Sequence, residues 1–181
     1  MVKSAKPFRI CCYLLATVFL AGGLGGCGEK KTSENTEVKS GSTYFPIRLG
    51  NQTVQLQIAA LGPEMEHGLM HRRDLKPDQG MLFIYPRPDR MQFYMRNTPT
   101  PLDIGYFTAD GVLREKYAMY PFDETTVPSR SDKVQFSVEM NQGWYDQNGV
   151  KPGAQLDLKA VIAALKARGL EPRDYGLDKP E

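Results

Sequence analysis

The chain has 181 residues, with 23 Lys and Arg against 21 Asp and Glu, a net charge of +2 at neutral pH. That length suits one domain with extra segments, not two full domains. Charged residues at 24% and hydrophobic residues at 41% exclude a disordered polyelectrolyte, and nothing forms the clustered basic face that nucleic-acid binding needs.

Lys3, Lys6 and Arg9 open the chain, and Ile10 to Leu20 follow without a charge. Small residues then lead to Leu24-Gly25-Gly26-Cys27. A basic start, a short apolar run and a small-residue zone predict an export signal over residues 1–26. An uncut membrane anchor would need about 20 apolar residues. Cys27 after Leu-Gly-Gly resembles the lipobox of bacterial lipoproteins. The resemblance implies cleavage before Cys27, a thioether from its sulfur to a diacylated lipid group, and acylation of the new amine. Two or three acyl chains hold a protein stably on a bilayer, at about 0.8 kcal/mol per buried CH₂.

Cleavage removes three cations and leaves 20 basic and 21 acidic residues, net −1. Electrostatic adhesion to anionic lipid is therefore not the expected binding mode. Cys11 and Cys12 leave with the signal, so Cys27 is the only cysteine of the mature chain. No disulfide, cysteine nucleophile or cysteine-rich metal site is expected.

Residues 27–42 read as the lipidated cysteine and a polar, flexible tether. The domain is expected over 43–158. Tyr44–Leu49 and Val54–Ile58 flank Gly50-Asn51, a hairpin signal. Pro63 and Glu64 open a helix expected to run to His71, with Asp74–Gly80 as a loop. Met81–Tyr85 reads as a buried strand broken by Pro86 and Pro88, and Met91–Met95 as another strand. Leu102–Thr108 and Val112–Met119 flank Asp110-Gly111, a strong turn. Val134–Met140 alternates with Val134, Phe136, Val138 and Met140 on one face. A short helix is expected after Gly143, and Leu156–Leu158 as a last strand. Residues 159–181 carry an amphipathic helix from Lys159 to Arg168, ended by Gly169, and a tail. This pattern predicts a mainly β domain with short helices, an α+β fold built as a small antiparallel β-barrel or bent sandwich. No βαβ pattern of a parallel sheet is evident.

The densest polar stretch is Arg96-Asn97-Thr98-Pro99-Thr100-Pro101-Leu102-Asp103. Two prolines stiffen it, and Asn97 and Thr98 suit a turn. Asp103 enters a strand and needs a cation or N–H donors. The stretch reads either as a structural lock or as a ligand pocket at the mouth of the fold. His67 and His71 stand four apart, a spacing open to Zn²⁺, but Gly68 stands where a zincin has its catalytic Glu, and a solvated face is the plainer reading. No nucleophile elbow, P-loop or dinucleotide fingerprint is present. Trp144 beside Gly143 reads as a core plug.

Glu66-x-Gly68-Leu69-Met70-x-Arg72, Gly80-Met81-Leu82-Phe83, and Phe93-x-Met95-Arg96-Asn97-Thr98-x-x-Pro101-Leu102-Asp103-Ile104 follow in order. With Ala109-Asp110-Gly111, Glu139-Met140-Asn141-x-Gly143-Trp144 and Gly149-Val150-Lys151-Pro152-Gly153, they resemble the domain of unknown function 192 family over about residues 52–158. The resemblance implies a compact, mainly antiparallel β fold and brings no settled activity. Arg96 stands where the family usually has Lys, and Tyr120–Arg130 replaces a turn that often holds Cys.

The expected function is a lipid-anchored module facing the periplasm, bound to the membrane through Cys27, that takes a small polar ligand or an envelope-protein partner. Arg96, Asn97, Thr98 and Asp103, joined by Glu66 and Arg72, form the expected ligand site. One alternative is an envelope hydrolase or transferase using Asp103 and Glu66 as acid and base. Another is a purely structural or interaction protein. No cofactor, no metal and no nucleic-acid partner is expected. Gly28 after Cys27, in place of the Asp of an inner-membrane retention signal, favours the outer membrane.

Overall fold

The computed structural model describes residues 37–178. The export signal, Cys27 and the tether as far as residue 36 lie outside the described residues. Strand β1 (Phe45–Leu49) and strand β2 (Gln52–Ala59) form the expected hairpin, paired from Phe45↔Leu56 to Leu49↔Gln52. Gly50 takes φ +60° at the turn, which L-residues with a Cβ avoid. Helix α1 (Gly62–His67) leads to strand β3 (Gln79–Asp89), which runs parallel to β2 with Leu56 beside Gly80 and Ile58 beside Leu82. This βαβ unit corrects the expectation of a wholly antiparallel sheet. The link from Ala60 to Asp78 exceeds the dozen or so residues a parallel crossover needs, but six residues of helix carry too little period to announce it.

Helix α1 also ends four residues sooner than expected. Gly68 at φ +49° and His71 at φ +63° leave the helical region, so His67 and His71 do not share a helix face. Strand β3 continues through Pro86 and Pro88, although its pairing with the next sheet strand is irregular between Ile84 and Asp89. The ladder is interrupted where the prolines lack N–H donors. Strand β4 is only Gln92–Phe93 and pairs with β7 (Val127–Pro128) in a small second ladder. Strands β5 (Leu102–Thr108) and β6 (Leu113–Met119) form the Asp110-Gly111 hairpin, with Gly111 at φ +80°.

Strand β8 (Val134–Asn141) inserts between β3 and β5, antiparallel to both, giving the order β1-β2-β3-β8-β5-β6. Both faces of this six-stranded sheet are covered. On one lie α2 (Trp144–Gln147) and α3 (Leu158–Ala167), packed on Leu56, Leu82, Phe136 and Val138. On the other, Leu69, Met91, Phe93 and Met95 from the α1 turn and the β4 region pack on Met81, Phe83, Ile104 and Tyr106. The result is one mainly β domain of sandwich-like form, and the sheet is not closed into a barrel. The expected strand Leu156–Leu158 is reduced to isolated bridges, Leu49↔Leu156 and Val112↔Gln155, which join the two edge strands at one end. Among the described residues no helix is long and apolar enough to cross a membrane.

The C-terminal segment is tied down. Asp157 caps α3 by accepting from the Lys159 and Ala160 N–H groups at 3.1 Å. Arg168 follows α3, donates to Ile58 O at 2.6 Å and pairs with Glu64 of α1. Tyr175, in a single 3-10 turn (Pro172–Tyr175), donates to Ala60 O at 3.2 Å. At the other end Lys39 N–H donates to Ala167 O at 2.8 Å, so the end of the expected tether touches α3.

Candidate functional site

The six expected ligand-site residues do not converge. The Asp103 side chain faces the α2 side, where its carboxylate accepts from Gly143 N–H at 2.8 Å. Arg96 is exposed and pairs with Glu124 at 2.7 Å. The reason is strand alternation: Leu102 and Ile104 occupy the α1 side, so Asp103 between them must point to the opposite face. Arg72 donates to Gln57 Oε1 at 2.8 Å and to Tyr44 Oη at 3.2 Å, bracing the β1–β2 edge. Asn97, at φ +53°, accepts the His71 N–H at 2.8 Å on its backbone carbonyl. Glu66 lies with α1 on the face opposite Asp103, which removes the expected acid–base pair Asp103 and Glu66.

Glu66 and Thr98 do meet at a cavity between α1 and the sheet, of about 100 Å³. Met65, His67 and Met70 line its α1 side, and Phe83 and Tyr85 of β3 its sheet side. Phe93 and Tyr94 flank it from β4 and the residue after. Gly68 matters here for space as well as for φ, since a Cβ on it would lie 3.3 Å from the Phe83 ring. Thr98 is buried and donates its hydroxyl to Arg96 O at 3.1 Å, fixing the bend that closes the cavity.

The sheet side of the cavity also holds Glu139, which sequence reasoning passed over. It sits on β8 opposite Met81 and Ile104 and is 5% exposed. Among the described residues no cation and no hydrogen-bond donor partners its carboxyl, and burial alone pushes the group up to about 8. Two residues earlier on the same face, the buried Ser137 hydroxyl is also without a partner. Tyr85 and Tyr106 are raised far above the usual phenol range, first by burial and then by neighbouring acidic groups including Glu139. A carboxyl so placed holds its proton at neutral pH and can donate it, or release it when a cation arrives. The signal for Glu139 was present: it is the acidic residue of the Glu139-Met140-Asn141-x-Gly143-Trp144 motif. Alternation along Val134–Met140 marks one apolar face and leaves Glu139 on the other, which the structure shows to be covered as well.

A wider groove of about 600 Å³ lies near Leu75, Asp78, Asn141 and Gln142. None of its lining residues is a buried ionisable group. Trp144, at its edge, is buried in the core. Among the described residues no group of three or more His, Cys, Asp or Glu could hold a metal ion.

Residues 46–158 match the model of the family described as DUF192, Uncharacterized ACR. The chain belongs to the DUF192 family. That stretch contains the whole sheet except the first residue of β1, and every residue of the cavity. Among curated proteins none matches the chain. Crystal structures similar to it include these two. One is of a Sinorhizobium meliloti 1021 protein described provisionally as a transcription regulator, with 30% identity and a TM-score of 0.62, covering 66% of this chain and 96% of that one. The other is of a Novosphingobium aromaticivorans DSM 12444 protein of unknown function, with 27% identity and a TM-score of 0.61, covering 67% and 95%. The structural likeness thus accounts for nearly all of those two proteins and about two thirds of this chain.

Proposed function

We propose that this protein is a lipid-anchored envelope module that binds a small polar ligand in the Glu139 cavity. The observation that carries the reading is a buried, unpartnered carboxyl facing an unfilled space. Burying such a group costs free energy unless a partner satisfies it, and a ligand supplies that partner. Of the stretch from Arg96 to Asp103, Thr98 alone lines the cavity, and Asn97 O holds the turn after α1 through His71 N–H.

The anchor rests on the basic start, the short apolar run and the Leu-Gly-Gly-Cys27 sequence. These support acylation of Cys27 and a domain facing the periplasm, and Gly28 favours the outer membrane. Cys27→Ser should move the protein from the membrane fraction to the soluble fraction on detergent phase partitioning. An unmodified Cys27 in the intact mass of the parent protein refutes the anchor.

The ligand site is tested on the full chain carrying ¹³C-methyl methionine. A set of small polar compounds should contain members that shift the Met65 and Met70 methyl resonances, and Glu139→Gln should abolish those shifts. Silence of both methyls throughout the set removes this site.

A further inference from the structure

The chemistry of the cavity goes further and names a class of ligand. Four aromatic rings line it, those of Phe83, Tyr85, Phe93 and Tyr94. Phe83 and Phe93 meet edge to face at 4.9 Å. The ionisable groups of the lining are two carboxyls, Glu139 and Glu66, with His67 and the two tyrosines, and the lining contains no Lys or Arg. An anion would face two carboxyls with no fixed cation. A sugar or peptide group would need several donors and acceptors, and the Thr98 hydroxyl is already given to Arg96 O. Aromatic faces and thioethers around a carboxyl are what an organic cation selects, through ring quadrupoles and one ion pair. The mouth already shows this chemistry: the Arg96 guanidinium carbon lies 5.0 Å from the centroid of the Tyr94 ring. Glu124 neutralises that arginine at 2.7 Å, so it does not set up an opposing charge.

Resting on the cavity reading, we propose that the ligand presents an alkylammonium head to the Glu139 carboxylate, with the aromatic rings around its carbon atoms. Size sets how much of the ligand is enclosed. At about 30 Å³ for each water-sized group, about 100 Å³ holds three or four non-hydrogen atoms. An ammonium with two or three carbons fills it, and any remainder of the ligand projects past Glu66 and Tyr94. Binding carries a proton balance. The Glu139 carboxyl gives its proton to solvent, and the resulting carboxylate pairs with the incoming ammonium, which keeps its own protons. Glu66 and His67 from α1, Tyr85 from β3 and Tyr106 from β5 face this step, and Tyr145 of α2 interacts with Glu139 electrostatically from the opposite face of the sheet.

The test titrates the full chain with n-propylammonium, and with n-propanol and acetamide as neutral comparisons, reading the Met65 and Met70 methyl resonances. Propylammonium should bind at least tenfold more tightly than propanol at pH 8. Its affinity should fall about tenfold per pH unit below about 8, as the proton competes, and Glu139→Gln should remove both the preference and the pH dependence. Glu66→Gln, on the exposed rim, should weaken binding about twofold to threefold by the size of a surface charge effect. It keeps the test open if Glu139→Gln folds poorly. Nα-acetyl-lysine amide in the same titration separates sources: a match to propylammonium indicates a lysine side chain, and silence indicates a free amine. Equal binding of propylammonium and propanol, or an unchanged preference in Glu139→Gln, overturns the proposal. Shifts from acetamide or propanol without any from propylammonium overturn the cation alone and leave the small-ligand site standing. Silence of all three overturns both.

Discussion

Glu139 makes a claim about stability as well as binding. Its carboxyl is raised by burial from 4.5 to about 8. The folded chain therefore holds a proton that the unfolded chain loses between those values. Stability from that proton is fully present below about pH 4.5 and is lost as pH rises through about 8, at up to about 1.4 kcal/mol per pH unit. Glu139→Gln should flatten this slope and stabilise the protein by a few kcal/mol at pH 8. Urea unfolding followed by Trp144 fluorescence between about pH 5 and 8 checks it. Parallel profiles for parent and variant would show that the carboxyl is solvated. Asp103 behaves differently, although burial raises it too. Its carboxylate is satisfied by Gly143 N–H, so Asp103→Ala should cost about 1 to 3 kcal/mol by stranding that donor. Because Asp103 faces α2, the same variant should leave propylammonium affinity unchanged. A loss of affinity equal to that of Glu139→Gln would reunite the two faces in one site.

At the level of elements, the central strand β8 decides most of the architecture. Residues Val134–Met140 are buried throughout, which requires neighbours that come close on both sides. Gly80 of β3 is one device for this: a Cβ there would lie 2.2 Å from Glu139 O and 2.5 Å from the Met140 sulfur. Gly105 of β5 is another, since a Cβ would meet the Tyr145 hydroxyl at 2.3 Å. That hydroxyl donates to Val138 O at 2.9 Å. Gly80→Ala should lower the thermal midpoint more than Gly105→Ala, because backbone must move in the first case and a side-chain tip in the second. A cost of about 1 to 3 kcal/mol is typical of such overpacking, and Gly80→Ala should also weaken ligand binding by displacing Glu139. Elements governed by local chemistry were legible in the sequence: the Gly50 and Asp110-Gly111 turns, the short helix after Gly143 and the helix from Lys159 to Arg168 ended by Gly169. Pairings set by distant packing were not. The parallel β2–β3 contact follows a helix too short to show its period. The polar positions of β8, among them Gln135, Ser137 and Glu139, look like a wet face until the second layer is known. The candidate site suffered most from this. Glu66 and Thr98 were legible through their motifs, while Arg96 and Asp103 attracted attention because neighbours in sequence were read as neighbours in space.

Across the whole molecule, the C-terminal segment beyond residue 158 is part of the structure of the family region. Arg168 is 8% exposed and joins Ile58 O of β2 to Glu64 of α1. Glu64 in turn accepts from the Ala60 and Leu61 N–H groups at 3.2 Å, so one carboxylate starts the helix and receives the arginine. Glu64→Ala should cost about 3 kcal/mol by leaving the guanidinium buried and unpaired. Removing the neighbouring exposed Glu66 should cost under about 0.5 kcal/mol. Denaturant midpoints of the two variants check the contrast. This arrangement has a consequence for the DUF192 family. The helix that walls the cavity is clasped from behind by a stretch lying past the end of the family match. A relative without that clasp can inherit the same carboxyl and rings but must hold them at their spacing by other means. Differences in what such relatives accept can therefore be written far from the residues that touch the guest.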